Sequence, residues 1–250
     1  YTTSRGWWIF SIQDYHLVQV FMQGGKEFSN VSTKADYPIA IDFIGYDQGD
    51  ILVSSATDVI VGGALVNGAG RTYMVSGGSI RGTTAALVGG NRIDLVGFAG
   101  IGESGLALRT ELHGGGFSAQ SFTGDIVIDA RDSGLNVVKV WTGDGDVRLS
   151  ADFDITALDS DSLVSGGSIE LTSRYGGIGG ASRPLRMDSG DGDTVTVSAV
   201  GDIRLAEIAG DLRLVSLGSV GGDVDLTVEN GNLLDANAND IRDERTIAEL

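Results

Sequence analysis

The sequence predicts an all-β fold in which the chain winds into a parallel β-solenoid with coils of about 21 residues. Gly-Asp or Gly-Asn pairs open short segments at Gly201, Gly210, Gly222 and Gly231, so every second opening recurs after 21 residues. Each opening is followed by residues that alternate between apolar and polar, as in a half-buried strand. Glycine is abundant, with 39 residues among 250, whereas there are only 2 prolines. This composition suits many tight turns between short strands.

Similar openings run through the rest of the chain. They lie at Gly49, Gly78, Gly90, Gly124, Gly145 and Gly167. The last three are separated by 21 and 22 residues. This repeat is too short for a four-stranded propeller blade of roughly 40 residues, and the leucine and asparagine ladder of leucine-rich repeats is missing. One coil per repeat remains, with corners made by glycine and by Asp or Asn side chains that bond their own backbone.

The segments between the corners predict individual strands. In "DIRLAEI", apolar Ile203, Leu205 and Ile208 are separated by polar Arg204 and Glu207. In "DVDLTVE", one face carries Val224, Leu226 and Val228. Stacked coils bury such apolar side chains in a continuous column, and their backbone groups pair with the coils above and below at about 4.8 Å.

We divide the chain into three parts. Residues 39–235 form the β-helix stem, because corners and alternating segments recur throughout it. Residues 1–38 contain tandem aromatic residues but no Gly-Asp corner, which predicts an irregular N-terminal segment or end coils. Residues 236–250 change to helical spacing, with Asp240 or Asp243 as a candidate N-cap. We expect a short helical tail there that this chain truncates.

Composition narrows the classes of partner. The formal net charge is −17, from 34 acidic and 17 basic residues, which argues against nucleic acid and against anionic lipid as partners. No apolar run of about 18 residues predicts membrane insertion. There is no cysteine, so disulfides, thiolate zinc sites and thiol catalysis are excluded.

The stretches "GDIRLAEIAGDLRLVSLGSVGGDVDLTVENGNLLDAN" and "IDFIGYDQGDILVSSATDVIVGGALVNGAG" resemble the coils of filamentous-haemagglutinin-like proteins, which are giant bacterial exoproteins and adhesins. The resemblance covers about 39–235 and implies a right-handed parallel β-helix. It also implies a structural stem of a longer parent chain, at the surface of a bacterium or outside it. Expected partners are glycans, a host or cell surface, or neighbouring stems.

Two alternative functions are compatible with the predicted scaffold. A polysaccharide lyase or hydrolase would need paired carboxylates, for which Asp152 with Asp154 and Asp159 with Asp161 are candidates. We found no known catalytic motif around them, and aromatic residues do not recur every 21 residues to form a sugar platform, so we expect no catalytic residue and no enzyme. A fibre or surface-layer subunit is the other alternative, because open coil ends invite end-to-end pairing.

Calcium is the only cofactor that the sequence suggests. "GDGD" occurs twice, and clustered carboxylates in glycine turns can bind Ca²⁺. The candidate ligands are Asp144, Asp146, Asp191 and Asp193.

Overall fold

The structure, a computed structural model, describes every residue from 49 to 238 and the backbone of three earlier strands at 16–22, 28–33 and 41–42. Within these residues the fold is all-β and forms a parallel β-solenoid of about nine turns, spaced about 21 residues apart. The predicted fold class is confirmed. In this part of the chain no helix is long and apolar enough to cross a membrane. The predicted tail at 236–250 and the segment 1–38 lie mostly outside the described residues.

Strand pairings after β4 are parallel and join equivalent strands of successive turns. The strands are β1 His16–Met22, β2 Phe28–Thr33, β3 Ile41–Asp42, β4 Asp50–Ser55, β5 Val59–Val61, β6 Ala64–Ser76, β7 Ile80–Gly82, β8 Leu87–Gly97, β9 Leu108–Leu112, β10 Phe117–Ser121, β11 Ile126–Ala130, β12 Leu135–Thr142, β13 Val147–Ala151, β14 Ile155–Ala157, β15 Leu163–Gly166, β16 Ile169–Ser173, β17 Leu185–Ser189, β18 Val195–Ala199, β19 Ile203–Glu207, β20 Leu212–Ser219, β21 Val224–Val228 and β22 Leu233–Asp235.

The first strands depart from this parallel pattern. β1 pairs antiparallel with β2 and also with β4, where Gln19 aligns with Ser54 and Met22 with Ile51. β4 pairs on its other side with β6, in parallel. β1 therefore occupies the edge of β4 that a preceding parallel turn would otherwise use.

Columns of apolar side chains fill the interior, one side chain from each turn. One column pairs Ile80, Ile101, Ile126, Val147, Ile169 and Val195, none more than 1% exposed. A second contains Leu135, Ile155, Ile178 and Ile203. A third contains Met74, Leu95, Ala119, Val140, Val164 and Met187. Burying one aliphatic side chain of this size contributes about 1.5–3 kcal/mol.

The Gly-Asp corners bind each turn to the next. Oδ1 of Asp125 accepts the backbone N–H of Asp146 at 3.0 Å, and Oδ1 of Asp146 accepts that of Ser168 at 2.8 Å. The same bond recurs from Asp223 to Asp202, 21 residues earlier, at 2.9 Å. Each carboxylate thus satisfies a corner N–H that no strand partner reaches.

The glycine of the corner is required by close approach. A Cβ on Gly145 would overlap the backbone of Gly124, and one on Gly222 would overlap Gly201 and Asp202. Neither glycine has a positive φ, although Gly210, at +76°, does. The expected reason, access to positive φ, therefore applies to some corners, while close packing of successive turns applies to others.

Buried hydroxyl groups complete the corners. Oγ1 of Thr142 donates to the carbonyl of Gly124 at 2.8 Å and accepts the N–H of Gly145 at 3.1 Å. Oγ of Ser219 does the same with Gly201 and Gly222, at 2.9 and 2.8 Å. Each hydroxyl therefore joins its own corner to that of the previous turn.

Two excursions leave the coil with the same backbone path. They are Ile101–Leu108 and Ile178–Leu185, with the sequences "IGESGLAL" and "IGGASRPL". In both, the second residue is a glycine with φ near +72°, and a short antiparallel bridge closes the loop. The predicted departure from the repeat between 167 and 192 corresponds to the second excursion.

An arginine clamps three turns together on the outer surface. Arg174 contacts Asp129 at 2.6 Å and Asp152 at 2.8 Å, which lie 45 and 22 residues earlier. Burial opposes ionisation of Asp152, but the backbone N–H of Asp132 and the guanidinium of Arg174 outweigh it and hold the pKa of Asp152 below its ordinary value. The clamp therefore adds an ionic link to the backbone ladder.

Replacing Asp146 by alanine removes the acceptor for the Ser168 N–H, and we expect the free energy of unfolding to fall by about 1–2 kcal/mol. Asp146→Asn keeps an oxygen acceptor and should lose less. Urea denaturation in calcium-free buffer measures both. Asp144→Ala is the matched control, because Asp144 is exposed in the same corner, and it should change stability by under about 0.5 kcal/mol. Equal losses for Asp146→Ala and Asp144→Ala would contradict the corner bond.

Gly145→Ala should be far more damaging, because its Cβ meets backbone that cannot move without breaking the ladder. We expect a loss of at least about 3 kcal/mol or a failure to fold, read from thermal unfolding and soluble yield. Gly105→Ala is the control, since nothing lies within 4 Å of its Cβ position. A Gly145→Ala protein as stable as Gly105→Ala would contradict the close approach.

Candidate functional site

A shallow groove of about 250 Å³ follows the outer face of β11, β13, β16 and β18. Its floor is a row of outward residues in register from turn to turn, Val127, Arg148, Glu170 and Thr196. Because equivalent residues of successive turns align, the groove runs along the solenoid axis.

One wall of the groove comes from a corner row and one end from an excursion. The corner row consists of Asp125, Asp146, Ser168 and Thr194. Ser104, in the first excursion, also lines the groove. The excursion therefore turns an otherwise flat sheet face into a concave surface.

The groove is polar and carries an ion pair. Nε of Arg148 lies 2.6 Å from Oε2 of Glu170, and both side chains are about two-fifths exposed. Asp125 and Asp146 each use Oδ1 for the corner bond. Carboxylates, a guanidinium and hydroxyls in one row can donate and accept hydrogen bonds along an extended polyhydroxylated ligand.

The structure brings two of the four predicted calcium ligands to one place. A Cβ built on Gly167 would lie 2.8 Å from Oδ1 of Asp146 and 3.5 Å from Oδ2 of Asp193. Asp144 and Asp191 are exposed in their respective corners. Among the described residues no group of three or more His, Cys, Asp or Glu could hold a metal ion. Calcium binding by Asp144, Asp146, Asp191 and Asp193 stays a prediction.

The carboxylate pairs weighed for catalysis make structural bonds. Asp152 binds Arg174, and Oδ1 of Asp154 accepts the N–H of Gly177 at 2.7 Å. Oδ1 of Asp159 accepts the N–H of Asp161 at 2.9 Å within one tight turn. These contacts explain the acids without a reaction, and the absence of catalysis stays a prediction.

Aromatic side chains meet in a way that a fixed spacing of 21 does not reveal. Phe98 and Phe122 occupy equivalent positions in turns that are 24 residues apart, since Gly97 aligns with Ser121. Their ring centroids are 5.6 Å apart with an interplanar angle of 22°, and Trp141 packs edge-on against Phe122 at 5.7 Å. Phe98 and Phe122 remain 51% and 44% exposed. Phe122 is engaged by a ring on each side, which leaves little free ring face for a sugar.

The groove itself was missed in the sequence. Its residues belong to four turns and one excursion, and each outward position was treated as an isolated solvated side chain. The signal that could have found it is the in-register recurrence of polar residues two positions after Asp125, Asp146, Ser168 and Thr194 in a stack that the excursion overhangs.

Comparison with known proteins adds no family assignment, because no protein-family model, no curated protein and no solved structure matches the chain.

Proposed function

We propose that this chain is a rigid stem segment of a large secreted or cell-surface bacterial adhesin or exoprotein. The observation that carries the proposal is the continuous bonding between turns. Strand ladders, corner carboxylates and buried hydroxyls repeat along the stack, and Arg174 spans three turns. Such a stack supplies length and stiffness, which is what a stem needs.

The resemblance of 39–235 to filamentous-haemagglutinin-like coils supports the same role. In those proteins a β-helix stem holds binding regions away from the cell. An extracellular location at a bacterial surface agrees with the absence of cysteine, since such a chain needs no disulfide during export.

Weak contacts with surface glycans belong to the lateral groove in this proposal. The groove offers hydroxyls, two carboxylates and the Arg148–Glu170 pair along one line. Exposed polar groups of this kind give low affinity, so we expect contacts that depend on many copies or on neighbouring stems.

Two assays on the purified chain test the stem proposal against its alternatives. Incubation with a panel of polysaccharides should release no reducing or unsaturated sugar, and sedimentation should show a monomer that does not change with concentration. Released sugar that disappears in an Asp152→Asn or Asp159→Asn variant would establish the enzyme instead. Filaments that grow with concentration would establish a fibre subunit.

A glycan array tests the groove. Any glycan signal should fall at least fivefold in the Arg148→Ala/Glu170→Ala variant, because the groove loses its ion pair and two hydrogen-bonding side chains. Arg71→Ala is the matched control, since Arg71 has similar exposure but pairs with Asp94 away from the groove. Running the array with calcium and with a chelator tests the four aspartates. A signal that both variants retain equally would place glycan contacts elsewhere.

A further inference from the structure

Glu207 is fully buried, with none of its surface exposed, at a position where other turns place an apolar side chain. It shares the inward face of β19 with Ile203 and Leu205. The ladder aligns it with Met187 on β17 and Val228 on β21. The sequence pattern had assigned Glu207 to the polar set of its strand, and the structure corrects this.

Hydrogen bonds hold the carboxyl group in place. The backbone N–H of Ser189 donates to Oε1 at 3.0 Å, and Oγ of Ser189 lies 3.3 Å from Oε2. The backbone of Ala209 provides a further bond. These partners fix the side chain, but none of them is a cation.

The charged side chains of the neighbouring strands do not neutralise it. Arg186 and Asp188 lie at alternate, partly exposed positions of β17, and Asp225 is exposed on β21. Arg204, on the outward face of β19, pairs with Asp202 at 2.7 Å. Among the described residues no cation pairs with Glu207, and the negative charge of Asp188 disfavours its ionisation. A buried carboxylate without a cation is costly, whereas the protonated form is not.

The turns that hold Glu207 are the least buried of the described stack. Val224 is 47% exposed and Leu233 is 57% exposed, whereas the apolar columns of the middle turns are covered. Turns with little buried apolar surface open at lower free energy than the middle of a fold. A charge at this place therefore acts on the part of the stack that opens most easily.

We propose that protonated Glu207 acts as a latch for the last described turns, β19 to β22, which pack firmly while its carboxyl is neutral and loosen when it ionises. The C-terminal turns of the stem would then respond to pH while the middle turns would not. Loosening would uncover the edges of β17 and β18, which are unpaired strand edges open to a new strand.

The direction of the pH dependence follows from burial. Burial raises the pKa of Glu207 from its ordinary 4.5 to about 7. The closed turns therefore keep a proton that the opened turns release, so their stability falls as the pH rises from about 4.5 to about 7 and is level above that. The pKa values of Asp94, Asp152 and Asp202 are lowered, so these groups destabilise the fold only in acid below their ordinary 3.8. The two windows do not overlap.

Hydrogen exchange of the full chain at pH 5 and pH 8 tests the latch. After correction for the intrinsic exchange rate, we expect protection of amides in 203–235 to fall by one to two orders of magnitude at the higher pH. Protection in β11 to β13 should stay constant. Glu207→Gln, which keeps a neutral hydrogen-bonding side chain, should show no such fall. Glu170→Gln, at an exposed glutamate, is the matched control and should behave like the unmodified chain.

Unchanged protection between pH 5 and pH 8 in the unmodified chain would overturn the proposal, as would a Glu207→Gln variant that keeps the fall. If Glu207→Gln does not fold, an NMR titration of the Glu207 carboxyl in the unmodified chain decides. A midpoint near 7 that moves down in Asp188→Asn supports the latch, and a midpoint near 4.5 overturns it.

Discussion

The fold depends on how closely successive turns approach one another at their corners. At Gly145 and Gly222 the neighbouring backbone leaves no space for a Cβ. At the same corners an aspartate must reach the N–H of the next turn. Both demands recur once per circuit, so the circuit length becomes the period of the sequence. A residue added to the strand faces would displace glycine and carboxylate together and break both.

Extra residues are accepted where the chain leaves the stack, and the two excursions show this. Ile101 pairs with Ile126 and Ile178 with Ile203, each 25 residues later, yet the isoleucines stay in their columns. The added length projects outward between a column residue and the next strand. Concave surface arises beside such a projection, as at Ser104. Binding sites on this scaffold therefore depend on interruptions of the repeat, while the repeat itself supplies a flat face.

The sequence predicted what repeats and missed what is lateral. Corners and inward columns follow from glycine spacing and period-two alternation, and β19 and β21 lie where that pattern placed them. The Arg174 clamp joins residues 45 apart, and the pairing of Phe98 with Phe122 needs a turn of 24. Both depend on the lengths of intervening turns, which alternation does not determine. Glu207 breaks the alternation rule itself, so no pattern could place it inside.

The acidic composition has a structural origin in the corners. Asp58, Asp125, Asp146, Asp154, Asp202 and Asp211 each accept a backbone N–H from the following turn. The acceptor must be an oxygen on a short side chain, and a lysine or arginine offers no acceptor. Every added turn therefore tends to add a carboxylate at a corner, and arginines are needed only where acids crowd, as around Asp129. Much of the net charge of −17 thus follows from building the stack. An acidic surface on such a protein requires no cationic ligand to explain it, so evidence for calcium must come from binding and not from composition.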